Sequence, residues 1–247
     1  MERSGMTVVL KLGGSVITDK QRPETLDEEH LARAAEAVAG YDGQLILVHG
    51  GGSFGHHHAS EHGISSEAGS HDAAGALAVH DAMGRLNDAV LAVLHERDVP
   101  ALPIHPLSAA ARDEDGELSL SMPVETMLAE GFVPTVQADV IAHAGAGVTV
   151  VSGDELVVTL AEQVDAERVG LCAGVPGVFD SEGVVIDRIE SFAAVSDALG
   201  GSDATDVTGG MAAKVRALLE LDAPASVFGL DGLERFLDGE SPGTRVG

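Results

Sequence analysis

Short apolar runs recur along this chain, and three of them stop on glycine. Thr7 to Leu12 (TVVLKL) leads into Gly13-Gly14-Ser15, Gln44 to Val48 (QLILV) into the HGGG turn at His49 to Gly52, and Gly147 to Ser152 (GVTVVS) into Gly153. Runs this short with no polar face suit strands buried on both sides. Helical periodicity falls between them, at Leu26 to Ala39, Ala73 to Arg97, Asp154 to Gln163 and Thr208 to Leu221, with further strands expected at 99–104, 132–136, 168–172 and 225–229. Alternating strands and helices predict an α/β fold, a mainly parallel sheet covered by helices on both faces. Ligands of such sheets sit beyond the carboxyl ends of the strands, where these glycines stand.

Composition narrows the function classes. The 247 residues carry 40 acidic side chains against 14 basic ones, a net charge of −26, with 45% hydrophobic residues and 3% aromatics. That apolar content supports a core, so the acidity reads as a surface solvated for high salt, one that repels nucleic acid and anionic membrane. No run reaches membrane-spanning length and the N-terminus lacks a secretory pattern, which points to the cytoplasm. The single Cys172 excludes an internal disulfide and reads as a small core residue. Eleven of the basic residues are arginines, leaving only Lys11, Lys20 and Lys214 as lysines. In a chain so depleted of lysine, these three are candidates for chemistry. The small residues AHAGAG suggest a boundary between lobes 1–147 and 148–247.

The segment HGGGSFGHHHA at His49 to Ala59 admits three chemistries. A serine hydrolase needs separate nucleophile and oxyanion turns, and here both patterns fall on one segment, so Ser53 cannot be served by its own turn. A metal site could draw on His56, His57, His58 and His62, but adjacent histidines point apart and no cysteine or second shell supports them, so no protein metal site is assigned. Phosphate binding accounts for the most features. Glycines at a strand end let backbone N–H groups approach a phosphate, and lysines add compact charge. A second candidate is DVTGGMAAK at Asp206 to Lys214, where Asp206 or Thr208 can cap a helix, Gly209 and Gly210 expose N–H groups, and Lys214 follows one turn later. No Walker A pattern is present.

KLGGSVITDK at Lys11 to Lys20, HGGGSFGH at His49 to His56, VSGDEL at Val151 to Leu156 and TDVTGGMAAK at Thr205 to Lys214 together resemble the amino-acid-kinase superfamily and, within it, the archaeal isopentenyl phosphate kinases. The resemblance implies a three-layer αβα sandwich, an N-terminal lobe for a phosphate acceptor, a C-terminal lobe for ATP with Mg²⁺, and a homodimer. It implies that Lys11 and Lys20 face the transferring phosphoryl group and that Gly13, Gly14, Ser15 and Gly174 line the nucleotide. Gly51 and Gly52 would sit between acceptor and donor, Gly52 also touching the nucleotide, with Gly55 and His56 on the acceptor. Gly153 and Asp154 would border the site, Asp154 holding the lysines by charge, and Gly210 and Lys214 would bind the β- and γ-phosphates. Ala76, Val79 and Met83 share a helix face that would floor the acceptor's tail pocket. A fosfomycin-type phosphonate kinase and a non-catalytic nucleotide or oxyanion binder are the alternatives on this fold. The chain departs from the family pattern at Ala173 to Gly177, where an acidic pair is usual, in the short loop DSEGVVIDR, and at Ala138, where glycine is common.

Overall fold

The structure, a computed structural model, describes residues 6–120, 123–199 and 210–247. The chain starts with β1 (Thr7–Leu12), a four-residue helix α1 (Gly14–Ile17), α2 (Glu28–Ala39) and β2 (Gln44–His49). It continues through α3 (Gly52–Glu61), the long α4 (Ala73–His95), β3 (Ala101–Ile104), α5 (Pro106–Ala109), β4 (Ala110–Arg112) and β5 (Leu118–Leu120). Then come α6 (Val124–Ala129), β6 (Val133–Gln137), β7 (Asp139–His143), β8 (Gly147–Val151), α7 (Gly153–Gln163) and β9 (Arg168–Cys172). The last part holds β10 (Arg188–Ile189), α8 (Ser196–Leu199), α9 (Gly210–Leu219), β11 (Ala225–Phe228), α10 (Leu233–Leu237) and β12 (Thr244–Val246).

Among the described residues eight strands form the central sheet in the order β10-β12-β11-β9-β1-β2-β6-β3, parallel except for β11 against β12. Both faces are covered, as the apolar runs require. Val8, Leu10, Leu12, Leu45 and Leu47 join a core with α2 and α4, while Val9, Ile46 and Val48 join another with α7 and α9. The period of two along β1 therefore aims Lys11 at the α7 face, the same face as Val9. Helices α2, α4 and α7 carry side-chain caps: Asp27 accepts from the His30 amide, Asp72 from Ala74 and Ser152 from Glu155. Among the described residues no helix is long and apolar enough to cross a membrane.

The run GVTVVS does not join the main parallel sheet as its pattern predicts. This run lies outside the central sheet; as β8 it pairs antiparallel with β7 in a separate four-stranded sheet, β5-β4-β7-β8. Only Thr149 and Val151 of this strand are buried, and an apolar run says nothing of which sheet it joins. Strand β7 and helices α3 and α6 have no counterpart in the sequence reading. Helix α3 contains Gly52, Gly55 and three consecutive histidines, a poor helical sequence by propensity, and is held by packing on α4. The proposed caps Asp206 and Thr208, with Gly209, lie outside the described residues.

Candidate active site

Strands β1, β2 and β9 end level with one another, Leu12 opposite both His49 and Cys172. Two glycine turns leave this edge and interlock. A β-carbon on Gly14 would stand 2.1 Å from the Gly52 nitrogen, and one on Gly50 would stand 2.8 Å from the Gly14 nitrogen. Gly52 itself has φ +49°, a conformation that side-chain-bearing residues rarely adopt. Thr18 joins the turns, its hydroxyl donating to the Gly14 carbonyl at 2.7 Å and accepting from the Ser53 amide at 3.0 Å. Backbone can thus approach a ligand here with no side chain in the way.

Beneath these turns the lysines converge. Lys11 is buried to 7% exposure and its ammonium donates to Asp154 Oδ1 at 2.6 Å. Lys214, in the second turn of α9, faces the other carboxylate oxygen of Asp154 at 3.5 Å. Asp154 lies in the first turn of α7, where Ser152 caps the helix, so it is presented from a fixed backbone. Gly153 lets the lysine stem pass, since a β-carbon there would meet Lys11 Cε at 3.1 Å. Two ammonium groups gathered on one carboxylate concentrate positive charge at the strand ends, suited to a polyphosphate.

The other sequence-predicted residues fall around this centre. Lys20 is exposed on the loop between α1 and α2. His56 is exposed on α3, one turn beyond Gly52, and His58 is bound to Glu24 at 2.6 Å. Gly51 and Gly55 pack under Met83, whose sulfur would lie 3.2 Å and 2.7 Å from β-carbons at those positions. Ala76 and Val79 are buried along α4 beside it. Gly13 donates its amide to the Cys172 carbonyl at 2.8 Å, and Gly174 lies against Ser15. A cavity of about 560 Å³ is lined by Ser15 and Gly174 and also by Arg33, Asp231 and Arg235. Gly210 opens α9 with φ +66°. Burial pushes the Cys172 thiol up to about 12, so it is no nucleophile at neutral pH. Among the described residues no three His, Cys, Asp or Glu side chains converge in a way that would hold a metal ion.

A buried polar cluster beside the site has no counterpart in the sequence reading. His49, wholly buried at the end of β2, pairs through Nε2 with Asn87 Oδ1 at 3.0 Å. Desolvation holds its pKa below the ordinary value despite that hydrogen bond, so the ring is neutral. Asp139, whose side chain is fully enclosed, accepts from His80 Nδ1 at 2.8 Å, Gln137 Nε2 at 3.2 Å and the Val140 amide at 2.8 Å. The bond to Asp139 raises the His80 pKa, against the opposing effect of burial. The signal in the sequence is positional: a histidine closing an otherwise apolar strand, and an asparagine on the buried face of α4.

The His80 shift has a testable consequence. A histidine with a raised folded-state pKa contributes stability that is complete below its unfolded value, about 6.5, and is lost as pH rises through the folded value. The melting-temperature difference between wild type and His80→Gln is expected to be largest below about pH 6.5 and to shrink in alkali. Thermal melts of both proteins from acid to alkaline pH check this, and a difference that grows with pH refutes it. Asp81, which also raises the His80 pKa, and the His105 ring, 5.8 Å away, are unchanged in this variant.

Comparison with known proteins accords with this geometry. The model of the amino acid kinase family matches residues 6–221. An isopentenyl phosphate kinase of Haloferax volcanii is 66% identical over 97% of this chain and 98% of its own length. Another, from Methanocaldococcus jannaschii, is 30% identical over 98% of both. A solved isopentenyl phosphate kinase structure superposes with a TM-score of 0.82 at 28% identity, covering 98% of this chain and all of the other. With the sheet order, the interlocked turns and the lysine pair already in place, a match across nearly nine-tenths of the sequence settles the family: the chain belongs to the amino acid kinases.

Proposed function

We propose that this chain transfers the γ-phosphoryl group of ATP to isopentenyl phosphate, giving isopentenyl diphosphate and ADP, a step of isoprenoid biosynthesis. The observation that carries the reading is the Lys11–Asp154–Lys214 arrangement beneath two interlocked glycine turns. The near full-length identity to the Haloferax isopentenyl phosphate kinase supports the choice of acceptor. An anionic oxygen of the acceptor phosphate forms a bond to Pγ as the bond from Pγ to the β,γ-bridging oxygen breaks and ADP departs. A phosphate monoester is already ionised at neutral pH, so no general base is needed. Catalysis reduces to alignment and charge neutralisation.

In this reading Lys11 meets the transferring group, and Lys214 with Gly210 holds the β- and γ-phosphates. Gly13, Gly14, Ser15 and Gly174 border the nucleotide. Gly51, Gly52 and Gly55 face the acceptor, His56 donates to its phosphate, and Lys20 closes over the transferring group from the α1–α2 loop. Ala76, Val79 and Met83 bound the tail. Asp154 is engaged by two lysines and unsuited to ligate a cation, and no carboxylate cluster converges among the described residues. Mg²⁺ therefore fits as a partner of the ATP phosphates, which supply its oxygen ligands. It would add charge neutralisation between the phosphates. The same reading takes residues 1–147 as the acceptor lobe and 148–247 as the ATP lobe, in a cytoplasmic homodimer.

Release of ADP with isopentenyl phosphate, fosfomycin and UMP as competing acceptors tests the assignment. A clear preference for isopentenyl phosphate is expected, and a preference for either of the others overturns it. Salt dependence gives an independent expectation. With a net charge of −26 and anionic substrates, kcat/KM should rise as KCl increases from about 0.1 to 3 M, where the Debye length falls from about 10 Å to below about 3 Å. Maximal activity and full folding at the lowest salt would contradict this.

A further inference from the structure

We propose that Glu24 is a positioning residue for Lys20, latching the α1–α2 loop onto α3 and α4; the inference rests on the reading of Lys20 as a group that faces the transferring phosphoryl. The loop is closed at its base by the bridge between Thr18 and Leu26, and by the Asp19 amide donating to the Thr25 carbonyl at 2.9 Å. Lys20 follows directly, exposed, with no hydrogen bond or ion pair to the described residues. An unpaired ammonium on a long flexible stem can be placed only through its backbone.

The return arm of the loop provides that placement. The Glu24 amide donates to the Ser53 carbonyl at 3.2 Å and the Thr25 amide to the Ser53 hydroxyl at 3.3 Å, which itself donates to the Thr25 carbonyl at 3.3 Å. Ser53 belongs to the first turn of α3, directly after Gly52. The loop is thereby registered against the turn that faces the acceptor. The Glu24 carboxylate then accepts from His58 Nε2 at 2.6 Å on α3 and from Arg85 on α4, at 3.2 Å from Nε and 2.8 Å from the terminal nitrogen to each oxygen. His58 and Arg85 hold this carboxyl below its usual pKa, so it remains ionised.

This arrangement does not maximise stability. The Arg85 and Glu24 side chains are 52% and 33% exposed, and ion pairs of that kind add little. Glu24 also adopts φ +46°, which disfavours any residue with a β-carbon. Strain retained where several contacts over-determine a conformation marks a geometry in use. Here it is the orientation of the arm four residues from Lys20.

The experiment is a double-mutant cycle. Glu24→Gly removes the carboxylate while relieving the left-handed strain, and Arg85→Ala removes one arm of the latch. Each is expected to lower kcat on the order of 10-fold, with KM for ATP and the melting temperature close to wild type, because a misplaced group loses rate through alignment. In a Lys20→Ala background the same substitutions should cost nothing further, the non-additivity of residues acting through one another. With only three lysines in the chain, ¹³Cε-lysine spectra resolve Lys20 directly, and its resonance should sharpen in Glu24→Gly as the loop is released. Losses that persist undiminished in the Lys20→Ala background overturn the latch, as does wild-type kcat in both single variants. A Lys20→Ala enzyme with full turnover overturns the role of Lys20 and the latch that serves it.

Discussion

Lys11→Arg is expected to lower kcat/KM on the order of 10²-fold or more, the scale of losing one preorganised charge-stabilising donor, while the fold persists. The ammonium of Lys11 sits 2.6 Å from Asp154 in a pocket that leaves the side chain 9% exposed, and its stem already runs close over Gly153. A guanidinium is longer, planar and spreads its charge over a fork, so it cannot place a point charge where the ammonium stood. Lys214→Arg should show a loss of the same kind, because its ammonium shares the same carboxylate. Asp154→Asn should be at least as harmful. It removes the negative charge that both cations share, raising their mutual repulsion and loosening both. Because the three act as one unit, Lys11→Arg combined with Asp154→Asn should cost much less than the product of the single losses. Steady-state kinetics with circular dichroism on each variant decide the matter. Wild-type kcat/KM in both arginine variants would remove the lysine pair from the chemistry.

The two lysines of that unit can be read directly from the amino-acid sequence, and the reason is chemical scarcity. Three lysines in a chain of net charge −26 stand out, and two of them, Lys11 and Lys214, meet at Asp154. The central sheet is legible for a similar reason: TVVLKL and QLILV have one plausible environment, burial on both faces. GVTVVS looks similar in composition yet forms a half-buried strand of a different sheet, because an apolar run carries no label for its neighbours. Helix α3 is illegible because tertiary packing overrides its propensity: Met83 against Gly51 and Gly55 and the Glu24–His58 bond hold together a segment that composition would make a loop. The polar cluster of His49, Asn87, Asp139 and His80 depends on contacts between residues 38 and 59 positions apart, which no local pattern encodes. Glu24 is hidden in the same way, since its partners His58 and Arg85 lie 34 and 61 positions away.

Gly14→Ala is expected to damage both stability and turnover severely. The added carbon would fall 2.1 Å from the Gly52 nitrogen and 2.5 Å from its α-carbon, both backbone atoms with no rotamer to escape into. Gly52 cannot yield easily, because at φ +49° it is enclosed by the Thr18 hydroxyl and the Gly14 carbonyl. The two turns must therefore separate, and with them the nucleotide and acceptor sides of the proposed site. Overpacking of this kind destabilises by about 1–3 kcal/mol or more, and displacement of aligned groups by about 1 Å costs on the order of 10²-fold in rate. The internal control is Gly84→Ala, in the middle of α4, where an added β-carbon meets nothing within 4 Å. That change should stabilise by about 0.5–1 kcal/mol, the helical advantage of alanine over glycine, and leave turnover unchanged. Melting temperature and kcat/KM measured side by side should thus move in opposite directions from wild type for the two variants in stability, and diverge by about two orders of magnitude in rate. A Gly14→Ala protein that melts and turns over like Gly84→Ala would mean that the turns are not interlocked as described, and the site built on their contact would have to be redrawn.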